Sequence, residues 1–253
     1  MHGPPGRFSG GKRKGEKMTI IAWRRLLPAL LFLPCLLALP APPARADASG
    51  SLAAAGWEES TPGRWTRLAE RKAEARGKTL SAEFVLSPGS GVAWEKKGSW
   101  TPGPENTLSF EFACDGTNPS SNDYEETQAS FPVFVTAVFG GDSEEVPFGK
   151  RIAGFFRKLW HGFPPAGIRM TYAVGNRVPV GSMYRLGDGQ TVFLLAGEEE
   201  KGKTIQAKRN LKEDFIAAYG RPPKGPVTRI VVGAQRPSKE KGNLKGRVIL
   251  TLP

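Results

Sequence analysis

Short apolar or alternating runs, broken by Gly, Pro and Asn, dominate the chain after residue 56. Residues 108–114 alternate between apolar and polar positions, which is typical of a strand with one buried face. Residues 131–139 are almost continuously apolar and predict a central strand covered on both faces. Further strands are predicted at residues 82–86, 168–174, 191–196, 228–232 and 247–252. This pattern predicts a mostly β fold, a single jelly-roll-like β-sandwich over residues 56–253 with one or two short capping helices.

Two segments depart from the β pattern. Residues 67–76 are rich in helix formers but have a thin apolar face, which predicts a short surface helix or a mobile loop. Residues 150–163 place apolar side chains at spacings of three and four, with basic residues beside this stripe. The stripe fits a helix on an anionic membrane surface or in a protein partner, and equally a helix that covers an edge of the sandwich. The residues predicted to contact a membrane or an envelope protein are Ile152, Phe155, Phe156, Lys158 and Trp160.

The first 46 residues have the three parts of a secretory signal. Arg24 and Arg25 precede a short apolar run that ends near Leu39, and Ala44-Arg45-Ala46 matches a small-x-small cleavage site. We therefore expect cleavage after Ala46, a short tail at residues 47–55, and a periplasmic or secreted protein. Residues 1–46 carry eight Lys/Arg and one Glu, so cleavage lowers the net charge from +12 to +5. That weak positive charge favours no nucleic-acid partner.

Few residues in the expected mature chain could perform catalysis. One histidine, His161, and one cysteine, Cys114, remain after residue 46. A lone cysteine forms no intrachain disulfide, and its place in the 108–114 alternation predicts burial. No nucleophile, phosphate-loop or dinucleotide motif is present, so no catalytic residue and no cofactor is predicted. Glycoside hydrolysis by paired carboxylates stays open, with candidates at residues 144–145, 198–200 and 213–214.

Aromatic residues are the strongest candidates for ligand binding. Trp94 and Trp100 flank a turn-like Lys96-Lys97-Gly98 segment, where they could line a groove, and Tyr184 could contribute a third ring. Sugars stack their apolar faces on aromatic rings, so these three residues are the predicted contacts to a polysaccharide. The alternative is that the tryptophans belong to the core, as most tryptophans do.

An oxygen-rich loop joins two of the strongest predicted strands. It contains residues 115–118 and 122–126, which are rich in Asp, Asn and Glu. Such oxygen atoms can bind calcium, but the spacing matches no calcium-binding loop, and Asn/Asp/Gly/Ser clusters are ordinary in solvated connections. A polar connection without a metal is therefore the prediction.

Residues 209–223, with the sequence RNLKEDFIAAYGRPP, resemble the Arg-Asn-Val-x-x-Asp-Tyr…Phe-Gly signature of an exported bacterial family, domain-of-unknown-function family three thousand and forty-seven. The resemblance extends more weakly to the strands predicted near residues 131–139, 170–181 and 227–234. It implies an envelope-associated, jelly-roll-like sandwich similar in shape to carbohydrate-binding modules. The block itself predicts a short helix, with Phe215 and Tyr219 on one face and Gly220 ending it in the left-handed conformation.

These observations lead to three functional hypotheses. The first is a non-catalytic module that binds polysaccharide or a related envelope glycan. The second is an adaptor for a membrane surface or a protein partner that acts through residues 150–163. The third is a carboxylate-based glycoside hydrolase.

Overall fold

The strands of the chain pair into two sheets. The structure, a computed structural model, describes residues 48–60, 67–125, 128–141, 168–186 and 189–253. The strands in these ranges are β1 Trp57–Ser60, β2 Arg67–Leu68, β3 Glu70–Arg76, β4 Thr79–Leu86, β5 Ser90–Trp100, β6 Thr107–Cys114, β7 Phe134–Phe139, β8 Arg169–Val174, β9 Met183–Leu186, β10 Gln190–Ala196, β11 Thr204–Asn210, β12 Val227–Gln235 and β13 Leu244–Thr251. The same ranges contain the α-helices α1 Ala48–Ala54 and α2 Leu211–Tyr219, and Glu198–Glu200 forms a 3-10 turn.

The larger sheet has the strand order β1-β5-β12-β7-β8-β10-β9, and β2 also pairs with β5. The smaller sheet has the order β11-β6-β13-β4-β3. Pairing is antiparallel except between β8 and β10 and between β2 and β5. The two sheets pack as a sandwich, so the prediction of a mostly β sandwich fold is confirmed.

Alternation along the strands builds the core between the sheets. In β6 the apolar residues of the predicted alternation are buried, and the residues between them are partly exposed. Phe110 of β6 contacts Tyr172 of β8 across the sandwich, with ring centroids 5.3 Å apart. In β7, residues 135–139 are buried on both faces, as their apolar run predicted. That strand begins at Phe134, three residues later than the apolar run does.

The prediction of a helix or loop at residues 67–76 is wrong, because these residues form β2 and β3. Pairing with β4 places Ala73 opposite Ala82, and both side chains are buried. Helix propensity is a weak preference that such pairing overrides. The charged side chains of β3 suit its place at the edge of the smaller sheet, where charges discourage pairing with other chains.

Two other segments are more ordered than their sequences suggested. Lys96 and Gly98 are not in a turn but in the long strand β5, whose pairing with β12 shifts register between Val227 and Arg229. Most of the predicted tail at residues 47–55 forms α1, and Leu52 of that helix is only 6% exposed, within the hydrophobic core.

The predicted amphipathic segment at residues 150–163 lies outside the described residues. So do Ile152, Phe155, Phe156, Lys158 and Trp160, and so does the predicted signal at residues 1–46. Within the part of the chain that the structure describes, no helix is long and apolar enough to cross a membrane.

Candidate functional site

Trp94, the first of the predicted sugar contacts, is fully buried. Its indole Nε1 donates a hydrogen bond to Glu59 Oε2 at 3.2 Å, and the same carboxylate pairs with Arg71 of the other sheet. Trp94 therefore belongs to the core, and its ring has no face open to a ligand. Strand alternation explains this, because Trp94 shares the inward face of β5 with buried Val92.

Trp100 is half-buried at the end of β5 and packs against the hydrophobic core. Its ring lies over Gly98, since a Cβ atom added to Gly98 would come within 2.5 Å of the ring. Part of the Trp100 ring is therefore covered by its own strand.

Tyr184, the third predicted contact, lies on β9 at the edge of the larger sheet. Its partner in the register is Val192, whose neighbour Phe193 packs into the core, so Tyr184 lies on the outer face of the sheet. There it packs against a small apolar cluster that consists of Ala129, Phe131, Ala173, Leu186 and Val192. The ring is half-buried, and its hydroxyl is buried without a hydrogen-bond partner in the described residues. Burial, with Asp123 and Tyr124 nearby, raises the pKa of Tyr184.

Tyr124 stands beside Tyr184 and is the more exposed ring. It is 58% exposed, the highest value among the large apolar and aromatic side chains that the structure describes. The centroids of the two rings are 5.4 Å apart and their planes meet at 54°, so the rings form a corner rather than a flat surface. No pattern in the sequence singled out Tyr124, although it is the only aromatic residue in the oxygen-rich loop.

Asp123, the residue next to Tyr124, holds this loop against the sheet. It is fully buried, and its Oδ2 accepts hydrogen bonds from the backbone N–H groups of Asn176 at 2.6 Å and Arg177 at 2.9 Å. A second buried residue, Asn118, donates from Nδ2 to the carbonyl oxygens of Ser130 and Gln235. Tyr124 is thus an exposed ring on a backbone that buried hydrogen bonds hold in place.

Polar side chains surround Tyr124 along the loop. Asn122 donates to Glu125 Oε1 at 2.8 Å, and Gln128 donates to the other oxygen of the same carboxylate. The Asn122 Oδ1 atom also accepts from the Tyr124 N–H at 3.3 Å. We call Tyr124, Tyr184, Asn122, Glu125 and Gln128 the tyrosine patch. It offers an aromatic face next to amide and carboxylate groups, which can bind a ring that carries hydroxyl groups.

The guanidinium of Arg236 binds several backbone oxygen atoms near the oxygen-rich loop. Arg236 donates to the backbone oxygens of Thr117, Lys241 and Gly242 at 2.7–3.2 Å, and to Asn118 Oδ1. These oxygen atoms therefore already have a cationic partner. Among the described residues, no group of three or more His, Cys, Asp or Glu side chains is placed to hold a metal ion.

The 209–223 block contributes to a hydrogen-bonded cluster of Arg209, Asp214 and Tyr172, which we call the buried lock. Asn210 caps α2 by accepting from the N–H groups of Lys212 and Glu213, and Gly220 ends the helix at φ 71°. Asp214 pairs with Arg209 and accepts a hydrogen bond from the Tyr172 hydroxyl at 2.6 Å. Burial and Asp214 hold the pKa of Tyr172 well above its usual value. These contacts join α2 to β11 and β8.

Most of the carboxylates suggested for hydrolysis in the described chain have structural partners. Glu198 accepts from the Thr117 hydroxyl, Glu200 accepts from the Gly197 N–H at 2.9 Å, and Asp214 belongs to the buried lock. Residues 144–145 lie outside the described residues.

Comparisons with known proteins do not place the chain in a family. No protein-family model and no curated protein sequence matches it. Among solved structures it is similar to the enzymatically active domain of tailspike protein 4 from bacteriophage CBA120, with a TM-score of 0.33, 10% identity, and coverage of 79% of this chain and 20% of that one.

A carbohydrate-binding module of type CBM28, specific for non-crystalline cellulose, gives a TM-score of 0.30 and 12% identity over 78% of this chain and 84% of the module. The structure of PfGH50B gives a TM-score of 0.24 and 12% identity, with coverage of 78% of this chain and 22% of that one. The chain thus spans about a fifth of the tailspike domain and of PfGH50B. Similarities with TM-scores this low do not identify a ligand for this chain. Membership of the exported family stays a prediction.

Proposed function

We propose that the protein is a non-catalytic glycan-binding module and that the tyrosine patch is its binding site. The observation that carries the proposal is the exposed Tyr124 ring, supported by Tyr184 and held by the buried Asp123 carboxylate. The apolar face of a sugar ring can cover an exposed aromatic ring, and this contact removes apolar surface of both from water.

The ordered loop that carries Tyr124 also favours binding. A ring on a loop that is already ordered loses little conformational entropy when a ligand binds, so more of the contact energy appears as affinity. The amide and carboxylate groups of Asn122, Glu125 and Gln128 can then hydrogen-bond the hydroxyl groups at the edge of the sugar. An envelope polysaccharide is the ligand class we propose, because the predicted signal at residues 1–46 would deliver the protein to that compartment.

Isothermal titration calorimetry of the protein with cellohexaose, laminarihexaose and chitohexaose tests the proposal. We expect one of these neutral glycans to bind, and Tyr124→Ala to weaken that binding about tenfold, which corresponds to about 1.4 kcal/mol. Because Tyr124 is largely exposed, the variant should keep the melting temperature of the parent protein.

Two further variants serve as controls. Ile216→Ala removes an apolar side chain that is 41% exposed on α2, and it should leave glycan affinity unchanged. Tyr184→Phe removes only a buried hydroxyl without a partner, so it should preserve both affinity and stability. If the protein is folded and none of the three glycans binds, or if Tyr124→Ala binds as well as the parent, the proposal is wrong.

A further inference from the structure

A groove crosses the outer face of the smaller sheet, on the side of the sandwich opposite the tyrosine patch. Its volume is about 490 Å³, within the range of roughly 300–1,000 Å³ that is usual for ligand sites. It runs across β3, β4, β13 and β6, and Gly202 lies at its border. With neighbouring strands about 4.8 Å apart, four strands span about 14 Å. We call this feature the cross-strand groove.

The register of the sheet arranges the outward side chains of the groove in two rows. One row consists of Lys72, Glu83, Arg247 and Ala113, which are partners in successive strand pairs. The other row contains Glu70, Val85 and Lys245, and Asp115 continues it by accepting a hydrogen bond from the Lys245 N–H at 2.7 Å. Each row thus combines charges of both signs with one small apolar residue.

Neighbouring side chains already engage some of these charges. Arg247 pairs with Glu111, and Lys72 lies 3.4 Å from Glu74. Arg71 borders the groove, but its guanidinium pairs with Glu59 of the larger sheet.

Other groups in the groove are available to a ligand. Within the described chain, the side chains of Glu70, Glu83 and Lys245 make no hydrogen bond or ion pair. All three residues are exposed. The groove therefore offers two carboxylates that can accept hydrogen bonds and one ammonium group that can donate them.

The balance of charge selects the class of ligand. Apart from Arg71, three basic and three acidic side chains line the groove, so a strongly anionic or cationic ligand would meet repulsion from one set. A neutral chain of hydroxyl groups can donate to the carboxylates and accept from the ammonium group at once. Val85 and Ala113 add an apolar floor, and among the described lining residues the one aromatic side chain, Phe84, is buried.

We propose that the cross-strand groove is a second glycan site, which takes an uncharged oligosaccharide lying across the strands. Its ligand class rests on the proposed function. Since the two sites lie on the outer faces of different sheets, one molecule can hold two glycan chains at the same time and link them. Two linked sites also raise the apparent affinity for a surface that carries many chains.

Calorimetric stoichiometry with the best-binding of cellohexaose, laminarihexaose and chitohexaose tests this inference. The parent protein should bind two oligosaccharides, and Ala113→Trp, which fills the groove from a half-exposed strand position, should bind one. Ser109→Trp is the matched control, because Ser109 lies on the same face of β6 outside the groove. It should keep both sites.

A second variant tests the groove independently, in case Ala113→Trp does not fold. Lys245→Ala removes an exposed ammonium group and should weaken one of the two sites at least several-fold, while Tyr124→Ala should affect the other. Binding in the groove should also change little with added NaCl, because the ligand is neutral.

The outcomes separate the two proposals. If the parent binds a single glycan that Tyr124→Ala removes, and Ala113→Trp has no effect, the groove is not a glycan site and the tyrosine patch stands. If Tyr124→Ala has no effect and Ala113→Trp abolishes all binding, the patch fails and the groove stands.

Discussion

Asp214 is the residue whose loss should most clearly test how the sandwich is held together. It lies in the first turns of α2, only 8% exposed, and joins Arg209 of β11 to Tyr172 of β8. We expect Asp214→Ala to lower the free energy of unfolding by about 3 kcal/mol, a large share of the 5–15 kcal/mol that is usual for a domain.

The magnitude follows from what the substitution leaves behind. The Tyr172 hydroxyl is fully buried, and a buried donor without its acceptor costs about 1–3 kcal/mol. Arg209 loses a charge-assisted pair, but its side chain is 30% exposed and can regain water, so this part should cost about 1 kcal/mol. Asp214→Asn keeps an oxygen acceptor for Tyr172, and we expect it to cost about half as much.

Urea unfolding followed by tryptophan fluorescence measures these values, because Trp57 and Trp94 are buried. Adding Tyr172→Phe to Asp214→Ala removes the stranded hydroxyl and should recover about 1 kcal/mol. A loss below about 1 kcal/mol in Asp214→Ala, or no recovery in the double variant, would refute the argument that the hydroxyl and the carboxylate depend on each other.

Three shorter predictions test the packing. Burial raises the pKa of the Cys114 thiol to about 11, so native protein at pH 8 should not react with Ellman's reagent, whereas protein in urea should react at once. The unfolded thiol ionises from about pH 9 while the folded thiol stays protonated, so the free energy of unfolding should fall between pH 9 and about 11. Urea unfolding across that range measures this fall, which should be smaller in Cys114→Ala. A Cβ on Gly225 would lie 2.4 Å from the Gly140 carbonyl oxygen, so we expect Gly225→Ala to lower stability by about 1–3 kcal/mol. A Cβ on Gly103 would meet only the Thr101 carbonyl oxygen, at an ordinary 4.0 Å, so Gly103→Ala should match the parent in melting temperature.

The candidate site shows where sequence reasoning fails. Tyr184 entered the prediction only as a third ring beside the two tryptophans, and its neighbour in the structure is Tyr124, 60 residues earlier in the chain. The available signal for Tyr124 was that it is the only aromatic residue among Asn, Asp and Glu. The polar composition of the loop instead predicted that the whole loop is a solvated connection. The sequence did not separate Trp94 from Trp100. In the structure Trp94 is buried and its indole N–H bonds Glu59, whereas Trp100 is half-buried at the end of β5.

The sequence by itself determined the class of the fold, most of the long strands, the burial of Cys114, and a short helix that ends at Gly220. These features depend on alternation, turn chemistry and capping, which act over a few neighbouring residues. Only the tertiary structure decided that residues 70–76 are a strand, that Asp214 meets Tyr172, and that charged rows from four strands enclose a groove. Each of these depends on which distant strands pair and in what register, and local preferences do not contain that information.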